Sequence, residues 1–519
     1  MFADHDFEVA RQDRPYEEDL IQDLDLTTLW NAMARGNAVV WASCRTALLA
    51  SLQSVEDIHY RQSVFLDCLR HPAVIEELYE LSVQAIEVKK KSWRGIGISS
   101  RSGEPLLRDS VKELESYVTI LKHLHQIATD HTDDFGSSGF QAFFATLGRE
   151  LDDAYFEEIA RHLRNLRFRD GVLASAQLGE ASQGVGYVLR AAQRRGNFLR
   201  RPMMKGPTYS HTISRDDEAG HEALAGLRNR VLSLAANALA QSADHIIAFF
   251  TALQCEIAFY LGCLNLQEEL VQRAQQYCLP DPEPLGSAAY AATGLYDPCL
   301  ALHTNEGVVG NDLHADGKDL VIVTGANQGG KSTFLRSLGV AQLMMQAGMP
   351  VAGQSFTAAI RSGVFTHFSR EEDASMTSGK FDEELRRMSE ISKEIRPHGF
   401  VLFNESFSAT SEREGSEVAT EIVRALRGAD IRIAYVTHLY EFSHHFHSQL
   451  PDSTLFLRAE RGNDGARPFR ISEGEPLPTS FSADLYRASF GDLATIPNGG
   501  AQRRKAQSAV APTSTRPAS

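Results

Sequence analysis

The sequence predicts a multidomain protein of the α and α/β classes, with a helical part first and an α/β part second. Apolar residues recur every three and four positions over residues 20–135 and again over 218–276, which is typical of helices. After residue 295, three short apolar runs predict buried parallel strands separated by helices: LVIVT (320–324), FVLF (400–403) and IAYVT (433–437). A length of 519 residues also exceeds what one ordinary domain needs.

The composition indicates a soluble globular protein. Hydrophobic residues make up 43% of the chain and charged residues 23%, with a net charge of −15. The first twenty residues contain no apolar segment of the kind found in secretory signals, and no long uninterrupted apolar run predicts a membrane span. The six cysteines form no CxxC pair. We therefore expect a cytoplasmic protein with free thiols and no membrane partner.

The helical part has internal divisions. A segment rich in Gly, Ser and Pro interrupts it at 93–107, and another helix is predicted over 150–166. Two short apolar runs within 171–193 predict a small hairpin. Residues 218–276 contain no proline, and as one helix they would span about 90 Å, a length typical of a lever. The basic tail after residue 497 is predicted to be disordered.

A glycine-rich motif follows the first predicted strand. The sequence GANQGGKST matches GxxxxGK[ST] and lies between a strand and a helix, as phosphate binding requires. Backbone N–H groups and the helix N-terminus would surround the phosphates, Lys331 would reach the β- and γ-phosphates, and Ser332 would ligate Mg²⁺. The sequence thus predicts an ATP and Mg²⁺ site formed by Gly325, Ala326, Asn327, Gln328, Gly329, Gly330, Lys331, Ser332 and Thr333.

The other two predicted strands end in residues suited to hydrolysis. In P-loop ATPases of this layout, a strand ends in Asp-Glu, where Asp holds the Mg²⁺ shell and Glu polarises the attacking water. Here the pair is Asn404-Glu405, so the first position can accept a hydrogen bond from a metal-bound water but carries no charge. His438 ends the third strand and could contact the γ-phosphate or the water. From the residues alone, Glu405 and His438 could also be ordinary strand-end residues.

The motifs GANQGGKST, LFNESFSATSEREGSE and VTHLYEF together resemble the ATPase domain of the MutS family, with Thr410-Ser411 and Thr437-His438 among the specific features. Asn311 lies in a segment that resembles the family's cover over the adenine. The resemblance implies a helical core and lever domain followed by an ABC-like P-loop ATPase domain. The resemblance does not include the family's mismatch-reading domain, which we do not expect in this sequence. The implied divisions are an N-terminal arm (1–19), the core and lever domain (20–290), the ATPase domain (291–490) and the tail (491–519).

The resemblance also implies a homodimer with composite sites. Ser378, Gly379 and Lys380 resemble the residues that reach the partner's site, although the same segment could be an exposed polar turn before a helix. Two departures imply slow hydrolysis or altered metal use, namely Asn404 in place of Asp and the sequence at 407–409 in place of Gly-Arg-Gly. The retained Glu405 and His438 imply an active ATPase.

A basic stretch occupies the position where the resemblance places a DNA clamp, at about 150–210. Residues 161–205 contain ten Lys or Arg and two acidic residues, a net charge of about +8. We hypothesise that this stretch contacts DNA phosphates, but it could equally be a solvated helix face. The candidate DNA contacts are Arg190, Arg194, Arg195, Arg200, Arg201 and Lys205.

The function implied by the resemblance is that of an ATP-driven dimeric clamp on double-stranded or structured DNA, in mismatch repair or recombination control. The alternative is a slow or non-hydrolysing ATP-dependent switch that binds a protein partner rather than DNA. The acidic net charge and Asn404 favour this alternative. The sequence shows no nuclease metal cluster, so DNA cleavage is not predicted.

Overall fold

The computed structural model describes residues 1–2, 4–7, 9, 14, 16–95, 103–168, 171–180, 184–190, 209–304, 307–370, 379–462 and 466–477. Helices dominate the first half, and a mixture of helices and strands forms the second. The helices are α1 (Glu17–Asp23), α2 (Leu26–Ala34), α3 (Ala38–Ala50), α4 (Val55–Arg70), α5 (Pro72–Gly95), α6 (Glu104–His131), α7 (Ser138–Glu150), α8 (Asp153–Leu166), α9 (Glu218–Gln272), α10 (Pro298–His303), α11 (Lys331–Gln346), α12 (Lys380–Glu394), α13 (Glu412–Gly428) and α14 (Tyr440–Gln449).

The strands fall into three sheets. They are β1 (Leu173–Leu178), β2 (Gly184–Arg190), β3 (Asp281–Glu283), β4 (Tyr290–Leu295), β5 (Asn311–His314), β6 (Leu320–Gly325), β7 (Ser355–Ala359), β8 (Val364–Phe368), β9 (Phe400–Asn404), β10 (Arg432–Val436), β11 (Thr454–Ala459) and β12 (Ile471–Glu473). The prediction of a mixed α and α/β protein is therefore confirmed, with more strands than the three that the sequence indicated.

The helical part is organised around α9. The sequence predicted helix over 218–276 without deciding between one helix and two, and the structure shows one continuous helix of 55 residues that spans about 80 Å. It packs against α2, α3, α5 and α6 through buried apolar residues such as Phe250, Ile257 and Phe259.

By length and composition α9 could cross a membrane, since one 18-residue window has a mean hydropathy of 1.7. Half of that window is buried inside the protein, as in the core helix of a soluble protein.

The largest sheet has six strands in the order β12-β11-β6-β10-β9-β8. All neighbouring pairs are parallel except β11 with β12. Alternate residues of its central strands face two different apolar cores. Val321 and Val323 of β6 pack into the core shared with α11 and the helical part, while Leu320 and Ile322 pack into the core that includes α12, α13 and α14. Burial on both faces explains the continuous apolar runs from which these strands were predicted.

A four-stranded sheet, in the order β3-β7-β4-β5, was not predicted. Its strands are short, and β3 has the sequence DPE, which lacks the β-branched residues that mark strands. Pro282 is compatible with β3 because this strand lies at the edge of the sheet, where an N–H group is not needed for pairing. β3 begins before residue 291, so this sheet starts within the range predicted for the helical part.

The hairpin predicted within 171–193 is confirmed as the antiparallel pair β1 and β2. Residues 191–208 and the predicted disordered tail lie outside the described residues. Most side chains of the hairpin are exposed, including Leu178 and Val188. Leu189 of β2 is partly buried and packs against the core of the helical part, so the hairpin contacts this core through only a part of its surface.

The close approach of α9 and α3 provides a test of this packing. A Cβ atom at Gly262 would lie 2.3 Å from the Cys44 Sγ and 3.2 Å from a methyl group of Val40, so Gly262→Ala should destabilise the protein by about 1–3 kcal/mol. Gly226→Ala, in the same helix with no atom within 4 Å of the added methyl, should stabilise it by up to about 1 kcal/mol. Urea denaturation followed by circular dichroism measures both, and equal shifts of the two midpoints would contradict the packing described.

Candidate functional site

The glycine-rich loop (residues 325–333) joins the end of β6 to the start of α11. Three of its residues have left-handed backbones, namely Gly325 (φ 105°), Gln328 (φ 58°) and Gly330 (φ 89°). At Gly325 a side chain is excluded for a second reason, because its Cβ would lie 2.8 Å from the backbone N and O atoms of Ala459 on β11. Left-handed residues in a loop that leads directly into a helix N-terminus are typical of anion sites.

Lys331 lies at the base of this loop. Its side chain is 5% exposed, and its Nζ donates hydrogen bonds to the carbonyl oxygens of Gly325 (3.3 Å) and Ala326 (3.1 Å). Burial lowers the pKa of Lys331, and the nearby carboxylate of Glu405 partly opposes this shift. The ammonium group is therefore held within the loop, where the charge of a phosphate group would compensate for its burial.

Ser332 and Asn404 meet across the sheet edge. The Ser332 hydroxyl donates a hydrogen bond of 2.9 Å to the Oδ1 of Asn404, the last residue of β9. Because β9 and β6 both lie beside β10, their carboxyl ends come together at this point. Two neutral oxygen atoms, a hydroxyl and an amide oxygen, thus occupy the place predicted to hold Mg²⁺. Hard cations prefer such oxygen ligands, so the residues fit this ion, although Asn404 brings no negative charge.

Glu405 and His438 form a pair at the same edge. The His438 Nε2 lies 3.0 Å from the Glu405 Oε1, and both side chains are partly exposed. The hydrogen bond from His438 is the main cause that lowers the pKa of Glu405, and the charges of Lys331 and Lys380 act in the same direction. Glu405 has a left-handed backbone (φ 54°), and its N–H donates to the Val436 carbonyl oxygen at 2.8 Å. Its carboxylate is therefore ionised at neutral pH and fixed in position, as a general base must be.

The segment 466–470, between β11 and β12, covers the loop and was missed by the sequence analysis. The Asn311 Nδ2 donates to the Phe469 carbonyl oxygen (3.2 Å), and its Oδ1 accepts from the Ile471 N–H (2.7 Å). The Arg467 Nε donates to the Asn327 carbonyl oxygen at 3.1 Å. The segment lies more than 130 positions after the glycine-rich loop and contains no motif, so only the tertiary structure identifies it.

These elements enclose one cavity of about 750 Å³. This volume falls in the range of small-molecule sites. The sequence-predicted residues that line it are Asn311, Asn327, Gln328, Gly329, Gly330, Lys331, Ser332, Thr333, Glu405 and His438. Gly325, Ala326 and Asn404 lie behind this surface and support it. Four apolar residues also line the cavity and form an apolar wall that suits a flat heterocycle, namely Leu295, Tyr296, Leu300 and Val308.

Asp297 is a further residue that the sequence analysis missed. It is buried at the cavity wall, caps α10 through the Cys299 N–H (2.9 Å) and accepts two hydrogen bonds from Arg336 of α11. Burial raises the pKa of Asp297, while Arg336 opposes this shift. The ion pair joins the apolar wall to the helix that carries the glycine-rich loop.

The remaining predicted residues lie elsewhere. Gly379 precedes α12 and Lys380 begins it, close enough to Glu405 to affect its acidity within the same chain. Arg190 ends β2 and donates a hydrogen bond of 2.9 Å to Ser175. Ser378 and five predicted DNA contacts lie outside the described residues: Arg194, Arg195, Arg200, Arg201 and Lys205.

Two family models match the chain in the same order as its two parts. The model described as MutS2 N-terminal domain matches residues 53–273, which include α9, and the model described as MutS domain V matches residues 321–470, which include the site.

Similar curated proteins share a shorter stretch. The endonuclease MutS2 of Streptococcus uberis is 33% identical over 135 residues, that of Streptococcus agalactiae serotype Ia 35% over 136, and that of Streptococcus mutans serotype c 31% over 135. Each match covers 26% of this chain and 17% of the relative's length. The chain therefore corresponds to only a small part of each relative. Together with the two family matches, these similarities show that the chain is a MutS-related protein.

Proposed function

We propose that this MutS-related protein binds and hydrolyses MgATP as a homodimer and uses the reaction to move its helical part on double-stranded or structured DNA. The observation that carries the proposal is the convergence of the glycine-rich loop, the Ser332–Asn404 pair and the Glu405–His438 pair on one cavity. An ammonium group, a hydroxyl, a carboxylate and an imidazole at one site are the groups that phosphoryl transfer to water requires.

Each residue has a defined task in this proposal. Lys331 exchanges its bonds to the carbonyl oxygens of Gly325 and Ala326 for bonds to the phosphates. Ser332 and Asn404 hold Mg²⁺ and its water shell, and when bound the ion neutralises charge on the phosphate oxygens. Glu405 takes a proton from the attacking water, while His438 orients the Glu405 carboxylate and lies near the γ-phosphate.

The pairing and the DNA contact extend the proposal beyond the site. In the dimer, Ser378, Gly379 and Lys380 of one protomer contact the partner's nucleotide.

The β1–β2 hairpin and the basic residues that follow it contact DNA phosphates. Among these candidate contacts, Arg190 at the end of β2 lies within the described residues. The long helix α9 runs from this region to the α/β part and supports a lever role. The similar proteins are named endonucleases, but the proposal does not extend to DNA cleavage.

A second candidate function is a switch that binds ATP and seldom hydrolyses it, with a protein partner in place of DNA. Asn404 is the observation that favours it. An amide oxygen beside Ser332 attracts a divalent cation less than a carboxylate does, and this weakens the metal's contribution to the transition state.

Substitution of Lys331 tests the nucleotide site. Lys331→Ala should weaken ATP binding at least about tenfold and abolish hydrolysis, because it removes the buried cation that contacts the phosphates. Fluorescent ATP titration and steady-state phosphate release measure the two effects. Lys393→Ala, an exposed lysine on α12, is the matched control and should leave both unchanged.

Substitution of Asn404 distinguishes the enzyme from the switch. Asn404→Asp should raise the hydrolysis rate several-fold, because a carboxylate beside Ser332 binds Mg²⁺ more strongly. Hydrolysis is measured across a Mg²⁺ titration, with and without duplex DNA. A wild-type protein that binds ATP without turnover, together with measurable turnover in the Asn404→Asp variant, would favour the switch over the ATPase.

Charge reversal tests the DNA contact. Changing Arg194, Arg195, Arg200 and Arg201 to Glu should abolish duplex binding at low salt, because favourable phosphate contacts become repulsive. For the wild-type protein, the logarithm of affinity should fall with the logarithm of salt concentration with a slope of about −0.9 per neutralised phosphate. Filter binding with duplex, mismatched and four-way-junction DNA measures both.

A matched variant controls for net charge. Changing four exposed cations outside this stretch to Glu, namely Lys90, Lys91, Arg149 and Arg413, alters total charge equally. This variant should bind DNA with an affinity close to that of the wild type. Equal loss in both variants would show a nonspecific charge effect, and no loss in either would contradict the DNA contact.

A further inference from the structure

The loop that carries Glu405 has an unusual backbone. Glu405 (φ 54°) and Phe407 (φ 61°) both adopt the left-handed conformation, which non-glycine residues rarely occupy. Phe407 occupies a position where the family that the sequence resembles has glycine. The conformational freedom of glycine is therefore not available at this position. Such a conformation persists only when surrounding contacts determine it.

Glu384 of α12 supplies one such contact. Its side chain is 2% exposed, and its Oε2 accepts a hydrogen bond of 2.8 Å from the Phe407 N–H. Phe407 is fully buried and stacks on His367, with ring centroids 5.1 Å apart. Glu384 therefore satisfies a buried N–H group two residues after Glu405, and a buried N–H left without a partner would be costly.

His367 joins the same network from β8. Burial lowers the pKa of His367 to about 4, so its ring is neutral at physiological pH. Its Nε2 lies 2.9 Å from the Glu384 carbonyl oxygen, which can only accept, and this places the ring proton on Nε2. The Nδ1 lies 2.8 Å from the Ser406 hydroxyl, whose single proton is shared between this nitrogen and the carbonyl oxygen of His367. Ser406, the residue after Glu405, is thus fixed from β8 while Phe407 is fixed from α12.

α12 is in turn fixed by the first helix of the chain. Arg387, one turn after Glu384, is 4% exposed and donates its Nε to Asp19 of α1 at 2.8 Å. Its Nη1 donates to the Phe368 carbonyl oxygen at the end of β8 at 2.8 Å. Asp19 also accepts from Arg370, so one carboxylate of α1 connects the end of β8 to the middle of α12.

We propose that Glu384 is a positioning residue that holds Glu405 in the conformation needed to activate water, and that Asp19 keeps α12 in the place this requires. The inference rests on the proposed ATP hydrolysis and names a control over that same site. The helix that carries Glu384, and so supports Glu405, is thereby connected to the helical part through Asp19 of α1.

Substitution of Glu384 tests the proposal. Glu384→Met removes the acceptor at similar volume and should lower kcat at least about tenfold, with KM for ATP within about twofold, because Lys331 and the loop are untouched. Glu384→Gln retains an oxygen acceptor for the Phe407 N–H and should recover most of the rate. Asp19→Asn should lower kcat less than Glu384→Met does. Glu390→Met, on the exposed side of the same helix, is the control and should have no effect.

Hydrogen exchange separates this inference from the proposed function. Amide exchange over residues 404–411 should accelerate in Glu384→Met and remain close to wild type in Glu384→Gln. If the wild-type protein hydrolyses no ATP, the proposed function fails, and exchange alone decides the inference. Equal losses of kcat in the Met and Gln variants, a rise in KM that accounts for the loss, or unchanged exchange in Glu384→Met would overturn it.

Discussion

The burial of α11, which is complete from Ser337 to Gln346, is the constraint on which the rest of the structure depends. Its N-terminus carries the glycine-rich loop, and one side packs on the large sheet while the other packs on the helical part. At its C-terminal end, the Gln346 amide donates to Ser51 and to the carbonyl oxygens of Leu52 and Arg361, and the Arg61 guanidinium donates to the Ala347 carbonyl oxygen. Because packed interiors resist deformation, a shift of the loop must move the helical part with it.

The order of the strands places the chemistry at one end of α11. β6, β10 and β9 are parallel neighbours, so their carboxyl ends present Gly325, His438 and Asn404-Glu405 at one edge. Beside the glycine-rich loop, the carboxylate of Glu405 is close enough to the cations of Lys331 and Lys380 for their charges to lower its pKa. With Asn404 neutral, the site has one negative charge fewer than the pattern it resembles, and it relies more on the anionic nucleotide to balance its cations.

The sequence predicted the parts whose residues carry a local signal. The three central strands and the β1–β2 hairpin follow from short apolar runs, the helical character of 218–276 follows from periodicity, and the glycine-rich loop follows from its motif. The sheet formed by β3, β7, β4 and β5 has no such signal, because short edge strands such as DPE lack the apolar pattern. The cover from Phe469 and the support from Glu384 depend on contacts between residues far apart in sequence, which one sequence cannot reveal.

Two of the contacts between the helical part and the α/β part differ in physical character. The contact with α11 is apolar and hydrogen-bonded, with Gln346 fully buried, and is costly to break. The contact of α1 with α12 depends on ion pairs of Asp19 with Arg370 and Arg387, and Asp19 is partly exposed. The Arg370–Asp19 pair is partly exposed and contributes little stability, whereas Arg387 is buried and also lies 3.7 Å from the buried Asp23. In the function proposed above, a movement of the helical part that shifts α1 would reach the loop of Glu405 through α12, whereas one that shifts α11 would reach the glycine-rich loop, so that hydrolysis and nucleotide binding would depend on different contacts.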